Sequence, residues 1–378
     1  VSTDKPVPKP QGISGGRVGA LAERFLRQAG HCRAAGSPLT AALLEGAGHE
    51  MTRRGATRDL LAPLADEPAG AAVPLRFAGA LHRLVLERLA PALALHYPSV
   101  GGTPDLERVW PLVRDVVEAL DGSPVLPELL QRPVQTNEVG RSAVLLGGLF
   151  HLTRLTDRPV RLLEIGASAG LNLRVDHFAY EIGDEVRTET YGDRDSPVRL
   201  RQPWAGALPA YAPVEIVERR GCDPDPLDPL STPDRLTLTS YVWADQVERL
   251  ERLRGAFTVA QRVPATVERL SAAAFLAREA RPTPGVTTVV WHSVVWQYLS
   301  PDERAAVQRE LSAAAATATR DAPLAHLRVE PEQVGAQELR FVVSLTLWPG
   351  GQTRQLATAQ GHGPPVTWQP GLGGWPPF

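Results

Sequence analysis

The short apolar run Val160-Arg161-Leu162-Leu163-Glu164-Ile165 passes directly into Gly166-Ala167-Ser168-Ala169-Gly170 and then Leu171-Asn172-Leu173. A strand, a turn of small residues and a helix start, in that order, form the opening unit of a parallel α/β sheet, where each strand needs a crossover to reach the next. Upstream the pattern differs. From about Gly16 to Thr156 apolar residues recur at helical spacing, as in Phe77, Leu81, Leu84, Val85 and Leu89, and again in Leu106, Val109, Val113, Val117 and Leu120. Breaks at Gly36-Ser37-Pro38, Tyr97-Pro98, Gly101-Gly102-Thr103-Pro104 and Gly122-Ser123-Pro124 separate these helices. Thr136 or Asn137 is placed to cap the helix that runs to about Leu155. The sequence predicts an all-helical region over 16–156 and an α/β domain over 157–370, after a polar, proline-bearing tail over 1–15 that is expected to be disordered.

Downstream of the first strand, Phe178, Tyr180 and Ile182 alternate across Gly183-Asp184, which predicts a β-hairpin insertion near 176–191 and a candidate lid. Further strands are expected at Val214 to Glu218, Val286 to Trp291 and Leu324 to Val329, and a helix carries Val247, Leu250 and Leu253. Ser300-Pro301-Asp302-Glu303 sets Ser at the N-cap, Pro at the first helical position and Glu two residues later, a capping box. Leu339 to Leu347, Pro349-Gly350-Gly351 and Thr353 to Ala359 form a terminal antiparallel hairpin. The expected fold is α/β, mostly parallel, with a C-terminal antiparallel hairpin and an all-helical N-terminal region.

Composition narrows the function classes. At 378 residues, 43% hydrophobic and 22% charged, the chain can bury a large core and supply two domains. A net charge of -2 provides no broad basic surface, so a small-molecule substrate is expected and duplex nucleic acid is not. Lys5 and Lys9 are the only lysines beside many arginines, as a GC-rich coding sequence would produce, so the arginine excess is not by itself a sign of phosphate recognition. Cys32 and Cys222 are too few for a disulfide framework or a cysteine-based zinc site, which suits a reducing, cytoplasmic setting. The first eleven residues lack the apolar core of about 7–15 residues that a secretory signal needs. The run Ala143 to Leu152, interrupted by Gly147 and Gly148, falls well short of the ~20 residues of a membrane span. Prolines separate the carboxylates in Asp223-Pro224-Asp225-Pro226-Leu227-Asp228, which prevents a calcium-type wrap, and no metal is expected.

Two segments carry a resemblance. Glu164-x-Gly166-x-x-x-Gly170 is similar to the acidic-glycine first motif of class I, Rossmann-like S-adenosylmethionine-dependent methyltransferases. The stretch from Val289 through Trp291-His292-Ser293 and Trp296-Gln297-Tyr298 to Leu299-Ser300-Pro301-Asp302-Glu303-Arg304 is similar to their fourth strand and its continuation into a helix. Thr136-Asn137-Glu138-Val139-Gly140-Arg141 and Tyr241-Val242-Trp243-Ala244-Asp245-Gln246 extend a resemblance along the whole chain to a bacterial family of domains of unknown function. The methyltransferase resemblance implies S-adenosyl-L-methionine as cofactor, held by Glu164, Gly166, Ser168, Gly170 and Asn172. Glycine permits close backbone approach, and a helix N-terminus can face the cofactor's carboxylate. Ser168 stands where the pattern commonly has its middle glycine. Glu218 or Asp223 fills the place of the ribose-binding acid at the end of the second strand, and Ser271 falls where an adenine-reading Asp often stands.

His292, at the carboxyl end of a parallel strand, is a candidate general base for the acceptor, or equally a satisfied core histidine. Trp296, Tyr298, Asn137 and Arg141 are candidates for the acceptor side; their structural alternatives are helix packing, capping and a solvated ion pair. Asp245 is expected to supply negative charge at a helix start. Gly166-x-Ser168-x-Gly170 also reads as a nucleophile elbow of a serine esterase, with His292, His326 or His362 later in the chain as the base. That reading needs strands and an oxyanion loop before the elbow, where this sequence is helical. A non-catalytic scaffold on the same fold is the third reading.

Overall fold

A computed structural model describes residues 15–183, 188–334 and 338–369; residues 1–14 of the tail expected over 1–15 and the hairpin turn at Asp184 lie outside them. The chain divides into two compact units, Val1–Val134 with Ser240–Val247, and Gln135–Thr239 with Glu248–Phe378. Among the described residues no helix is long and apolar enough to cross a membrane.

The first unit is helical: α1 (Gly15–Ala34), α2 (Pro38–Glu50), α3 (Ala56–Leu61), α4 (Val73–Leu86), α5 (Pro91–Ala94), α6 (Leu106–Ala119) and α7 (Val125–Gln131). The breaks fall where glycine and proline put them. Small residues allow close packing: a Cβ at Gly46 of α2 would lie 2.1 Å from Trp110 of α6, and one at Gly48 would lie 2.9 Å from Leu26 of α1. Asp105 caps α6 by accepting from the N–H groups of Glu107 and Arg108. The 240–247 segment joins this unit because Asp245 caps α2, accepting from Ser37 Oγ and, at 2.9 Å, from the N–H of Leu39. Its negative charge therefore serves a helix some two hundred residues away, not the start of its own helix.

The second unit holds α8 (Ser142–Thr156), α9 (Thr232–Ser240), α10 (Val247–Ala260), α11 (Ala272–Glu279) and α12 (Pro301–Ala315) around a mixed sheet. Its strands are β1 (Val160–Ile165), β5 (Trp204–Gly206), β6 (Ile216–Asp223), β7 (Thr266–Arg269), β8 (Thr287–Ser293), β9 (Leu324–Val334), β10 (Glu338–Trp348), β11 (Gln352–Gln360) and β12 (Gly363–Trp368). They lie in the order β5-β12-β11-β10-β9-β8-β1-β6-β7. From β7 through β9 every pairing is parallel, and β9 to β12 is an antiparallel meander that contains the expected hairpin. The chain leaves β1 toward β6 and β7, then returns to the other side of β1 with β8 and β9, so strand order reverses at β1. In open α/β sheets the crevice beyond the carboxyl ends at such a reversal is where ligands bind.

The sheet unit begins at Gln135 rather than near 157, because α8 is part of its packing. Cβ atoms at Gly147 and Gly148 would lie 2.1 Å from Trp368 and 2.5 Å from Leu327, so these glycines bring the helix backbone against the strands. The expected hairpin is β2 (Ala179–Gly183) with β3 (Thr188–Gly192), joined by β4 (Arg199–Arg201) in a separate three-stranded sheet. The strand expected to end at Glu218 is β6, which runs to Asp223, five residues further. The capping box at α12 is half realised. Ser300 accepts from the N–H of Glu303, while the Glu303 carboxylate reaches the N–H of Ala273 and caps α11.

Candidate functional site

β1 ends in a tight loop because Gly166 and Gly170 adopt φ of +66 and +65, which glycine adopts without steric cost. Both glycines also answer to packing: a Cβ at Gly166 would lie 2.5 Å from Val295, after β8, and one at Gly170 would lie 2.6 Å from Val267 of β7. The loop is thus packed between the turn after β8 and β7, the strand beyond β6. Ser168, between the glycines, is itself left-handed at φ +52. Its backbone N–H donates to Asp223 Oδ2 at 2.9 Å, and its hydroxyl donates to Gln135 Oε1 at 2.9 Å. Asp223, which ends β6, also takes the N–H of Asp225 at 2.9 Å.

The residues after the loop form a seven-residue 3-10 stretch, Leu171–His177, with non-helical geometry at Arg174, in place of the expected helix. Its first N–H, on Leu171, is already taken by Asn137 Oδ1 at 2.9 Å. The expectation that a helix N-terminus here faces a ligand carboxylate is corrected accordingly. Asn137 and Thr136 do not cap α8, which is entered through a 3-10 turn at Val139–Arg141. Instead the segment from Gln135 to Glu138 lies along the loop, with the Glu138 carbonyl accepting from Asn172 Nδ2 at 3.2 Å.

Glu164 is the chemically distinctive group. It pairs across the sheet with Trp291, whose indole N–H donates to Oε1 at 3.2 Å, and it is 2% exposed. Its Oε2 is buried without a partner, as is Oδ1 of Asn172 on the far side of the loop. Burial first, with the charge of Asp223 adding to it, pushes the Glu164 carboxyl up to about 8 against the opposing bond from Trp291. Two buried side-chain oxygens without partners thus flank one loop at the carboxyl edge of β1.

His292 is fully buried on β8. Nδ1 bonds Glu330 Oε1 at 2.6 Å, Nε2 bonds His326 Nε2 at 3.0 Å, and the ring stacks on Trp296 at 5.6 Å. With both nitrogens engaged it fits the satisfied core histidine better than the open base, the two readings its sequence position leaves equal. Glu330 also accepts the N–H groups of Val295 and Trp296, so it clamps the turn after β8. That turn contains Val294 at φ +56, a β-branched residue in the left-handed region and a point of backbone strain. Trp296 is half-buried and Tyr298 exposed. Arg141 is half-buried and donates to the carbonyls of Gly361 and Ser293 at 3.1 and 3.3 Å.

The structure separates the two candidates for the second-strand acid. Asp223 ends β6 at the carboxyl edge, whereas Glu218 stands beside Arg161 toward the other end and forms an ion pair with it. Ser271 is the N-cap of α11, accepting from the N–H of Ala274. Sequence reasoning missed Gln135, Trp291 as a partner of Glu164, and the histidine clamp. His326 and Glu330 stand four apart on one strand and so share a face, a period-two signal that was there to be read. Among the described residues no cluster of His, Cys, Asp and Glu is placed to hold a metal ion.

The family described as "Uncharacterized protein conserved in bacteria (DUF2332)" matches residues 22–368. The chain belongs to that family. No curated protein and no solved structure matches it. Family membership therefore takes in both units and assigns no chemistry, so the reading of the site rests on its geometry.

Proposed function

We propose that the sheet unit binds S-adenosylmethionine and transfers its methyl group to a small or medium-sized acceptor. The observation that carries this reading is the buried Glu164 carboxyl with an open Oε2, at the end of the strand where sheet order reverses. The strand order β7-β6-β1-β8-β9 supports it too, being the doubly wound order of nucleotide-binding α/β sheets. The residues present fit the amino end of the cofactor: Glu164 Oε2 and Asn172 Oδ1 have no partner, and an ammonium group would supply donors to both and the charge that draws the proton off Glu164. Asp223, at the carboxyl end of β6, would take the ribose hydroxyls in this reading. Its oxygens each hold one backbone N–H and retain capacity to accept another bond.

When bound, the cofactor supplies a methyl on a sulfonium that is already a strong electrophile, so the protein's contribution is mainly positional. Glu330 and His292 act as positioning residues by holding the turn Val294 to Trp296, and Trp296 and Tyr298 stand on the acceptor side. The decisive test is calorimetric titration with S-adenosylhomocysteine. Micromolar binding that disappears in Gly166→Arg supports the reading, and no binding by folded wild-type protein overturns it.

The left-handed Ser168 after a strand is the observation that favours a serine esterase. Its hydroxyl, however, donates to Gln135 rather than to an imidazole, and β1 is the first strand among the described residues. A fluorophosphonate adduct at Ser168 would revive that reading. Failure of both probes would leave the scaffold.

A further inference from the structure

In the helical unit, α4 carries Gly79 and His82 three residues apart and so on one face. A Cβ at Gly79 would lie 2.7 Å from Tyr241, so this glycine lets the 240–247 segment down onto the helix. The carbonyl of Ser240 then meets His82 Nδ1 at 3.2 Å. A carbonyl oxygen only accepts, so Nδ1 carries the hydrogen and the neutral ring presents its lone pair at Nε2. That lone pair faces Ser99 Oγ at 2.8 Å, and the Ser99 hydroxyl donates to it.

Ser99 stands in a 3-10 turn, Pro98–Val100, that Gly101 closes at φ +89. The N–H of Gly102 donates to the Tyr97 carbonyl at 3.0 Å and that of Thr103 to the Leu95 carbonyl at 2.8 Å, which fixes the turn. A Cβ at Gly102 would lie 2.4 Å from the Ala94 carbonyl oxygen, so the chain closes up beneath the serine only with glycine there. Tyr97 places its ring 5.6 Å from that of His82, and its buried hydroxyl has no partner. Buried donors are rarely left so. His82 is buried and Ser99 is 7% exposed, so the hydroxyl lies just beneath the surface; Leu95, 70% exposed, and Val100, 45% exposed, stand open to solvent on either side of it in the chain.

We propose that Ser99 and His82, oriented by the Ser240 carbonyl, form a nucleophilic site that hydrolyses an uncharged carboxylic ester with an apolar acyl chain. A hydroxyl bonded to a base, and a third group that fixes the tautomer of that base, are what acyl transfer at a serine requires. Ser99 Oγ attacks the ester carbonyl carbon while its proton passes to His82 Nε2; the bond to the alcohol then breaks, and the alcohol leaves with that proton. Water gives a proton to the same nitrogen and attacks the acyl carbon; the acid departs, and the proton returns to Ser99 Oγ. The Tyr97 hydroxyl is the donor available to the oxyanion that forms in each step. Exposed Leu95 and Val100 favour an apolar chain over a charged one. This site belongs to the helical unit and rests on no part of the methyl-transfer reading.

The test is treatment of the full chain with a fluorophosphonate, which forms an O–P bond to an activated serine as fluoride leaves, followed by digestion and mass-spectrometric mapping of the adduct. The adduct is expected on Ser99, and wild type is expected to hydrolyse p-nitrophenyl butyrate, with the rate lowered about 100-fold or more in Ser99→Ala. Labelling of the wild-type chain needs no variant, so a variant that fails to fold does not blunt the test; melting curves show whether Ser99→Ala folds. A folded wild-type chain that takes no label at Ser99 overturns the site, as does equal hydrolysis by wild type and Ser99→Ala. A label confined to Ser168 overturns it as well and returns the esterase reading to the glycine loop. Binding of S-adenosylhomocysteine, or its absence, bears on the methyl-transfer reading alone.

Discussion

Replacing Glu164 with Gln should change stability in a pH-dependent way that no other substitution in the site reproduces. The carboxyl titrates near 4.5 when solvated and near about 8 when folded, so between those values the folded chain holds a proton that the unfolded chain releases. The sign follows from linkage: a raised carboxyl pKa makes stability fall as pH rises through this window, with the cost absent below 4.5 and complete above about 8. At about 1.4 kcal/mol per pH unit the full swing is on the order of 5 kcal/mol. The Gln variant keeps an acceptor for Trp291 and has nothing to ionise. Urea unfolding at pH 5 and pH 9, followed by tryptophan fluorescence, should show the variant gaining on wild type by several kcal/mol at the higher pH. The comparison cancels the buried histidines, whose titration is common to both chains. A stability difference that stays the same, within about 0.5 kcal/mol, at both pH values would refute the assignment of Glu164 as the buried proton-holding group.

Two further substitutions test the supports of the fold. Arg249→Met leaves the Glu138 carboxylate buried without its main partner and should cost about 3–5 kcal/mol at pH 7 in urea unfolding. Burial disfavours the charge on Glu138, but Arg249 with the neighbouring cations outweighs it and holds the group at about 2, so the loss should shrink as pH falls below 4.5; a loss independent of pH would contradict this. Asp245→Ala removes the acceptor for Ser37 and Leu39 at the start of α2 and should cost about 1–2 kcal/mol, read as a lower melting temperature. An unchanged melting temperature would show that the helical unit does not depend on that cap.

The parallel strands were legible because Val160 to Ile165 and the region around Trp291 are short apolar runs bounded by turn residues, and the helical unit because its apolar stripes repeat over long stretches. The glycine loop could be placed for the same reason. What escaped is tertiary. The 3-10 stretch after Gly170 carries the same residue types as a helix start, and it is the capping of Leu171 by Asn137 and the packing of Gly170 on Val267 that accompany its tighter course. Local sequence assigns Asp245 and Glu303 to their own helices, because it shows that a carboxylate can cap and not which N–H it reaches. The boundary moved from 157 to 135 since Gly147 and Gly148, visible only as interruptions of an apolar run, are where α8 meets the sheet. His292 looked available because burial and the partnership with Glu330 depend on a strand whose register no short segment encodes.

The most direct test of the central claim is S-adenosylhomocysteine calorimetry at pH 6.5 and pH 8.5, each in two buffers of different ionisation enthalpy. If the protonated carboxyl of Glu164 ionises to receive the cofactor's amino group, binding should be micromolar, should release a fraction of a proton near pH 7, and should lose that release in Glu164→Gln. Binding without any Glu164-dependent proton release would place the ligand elsewhere, and no binding at either pH by folded protein would contradict the account.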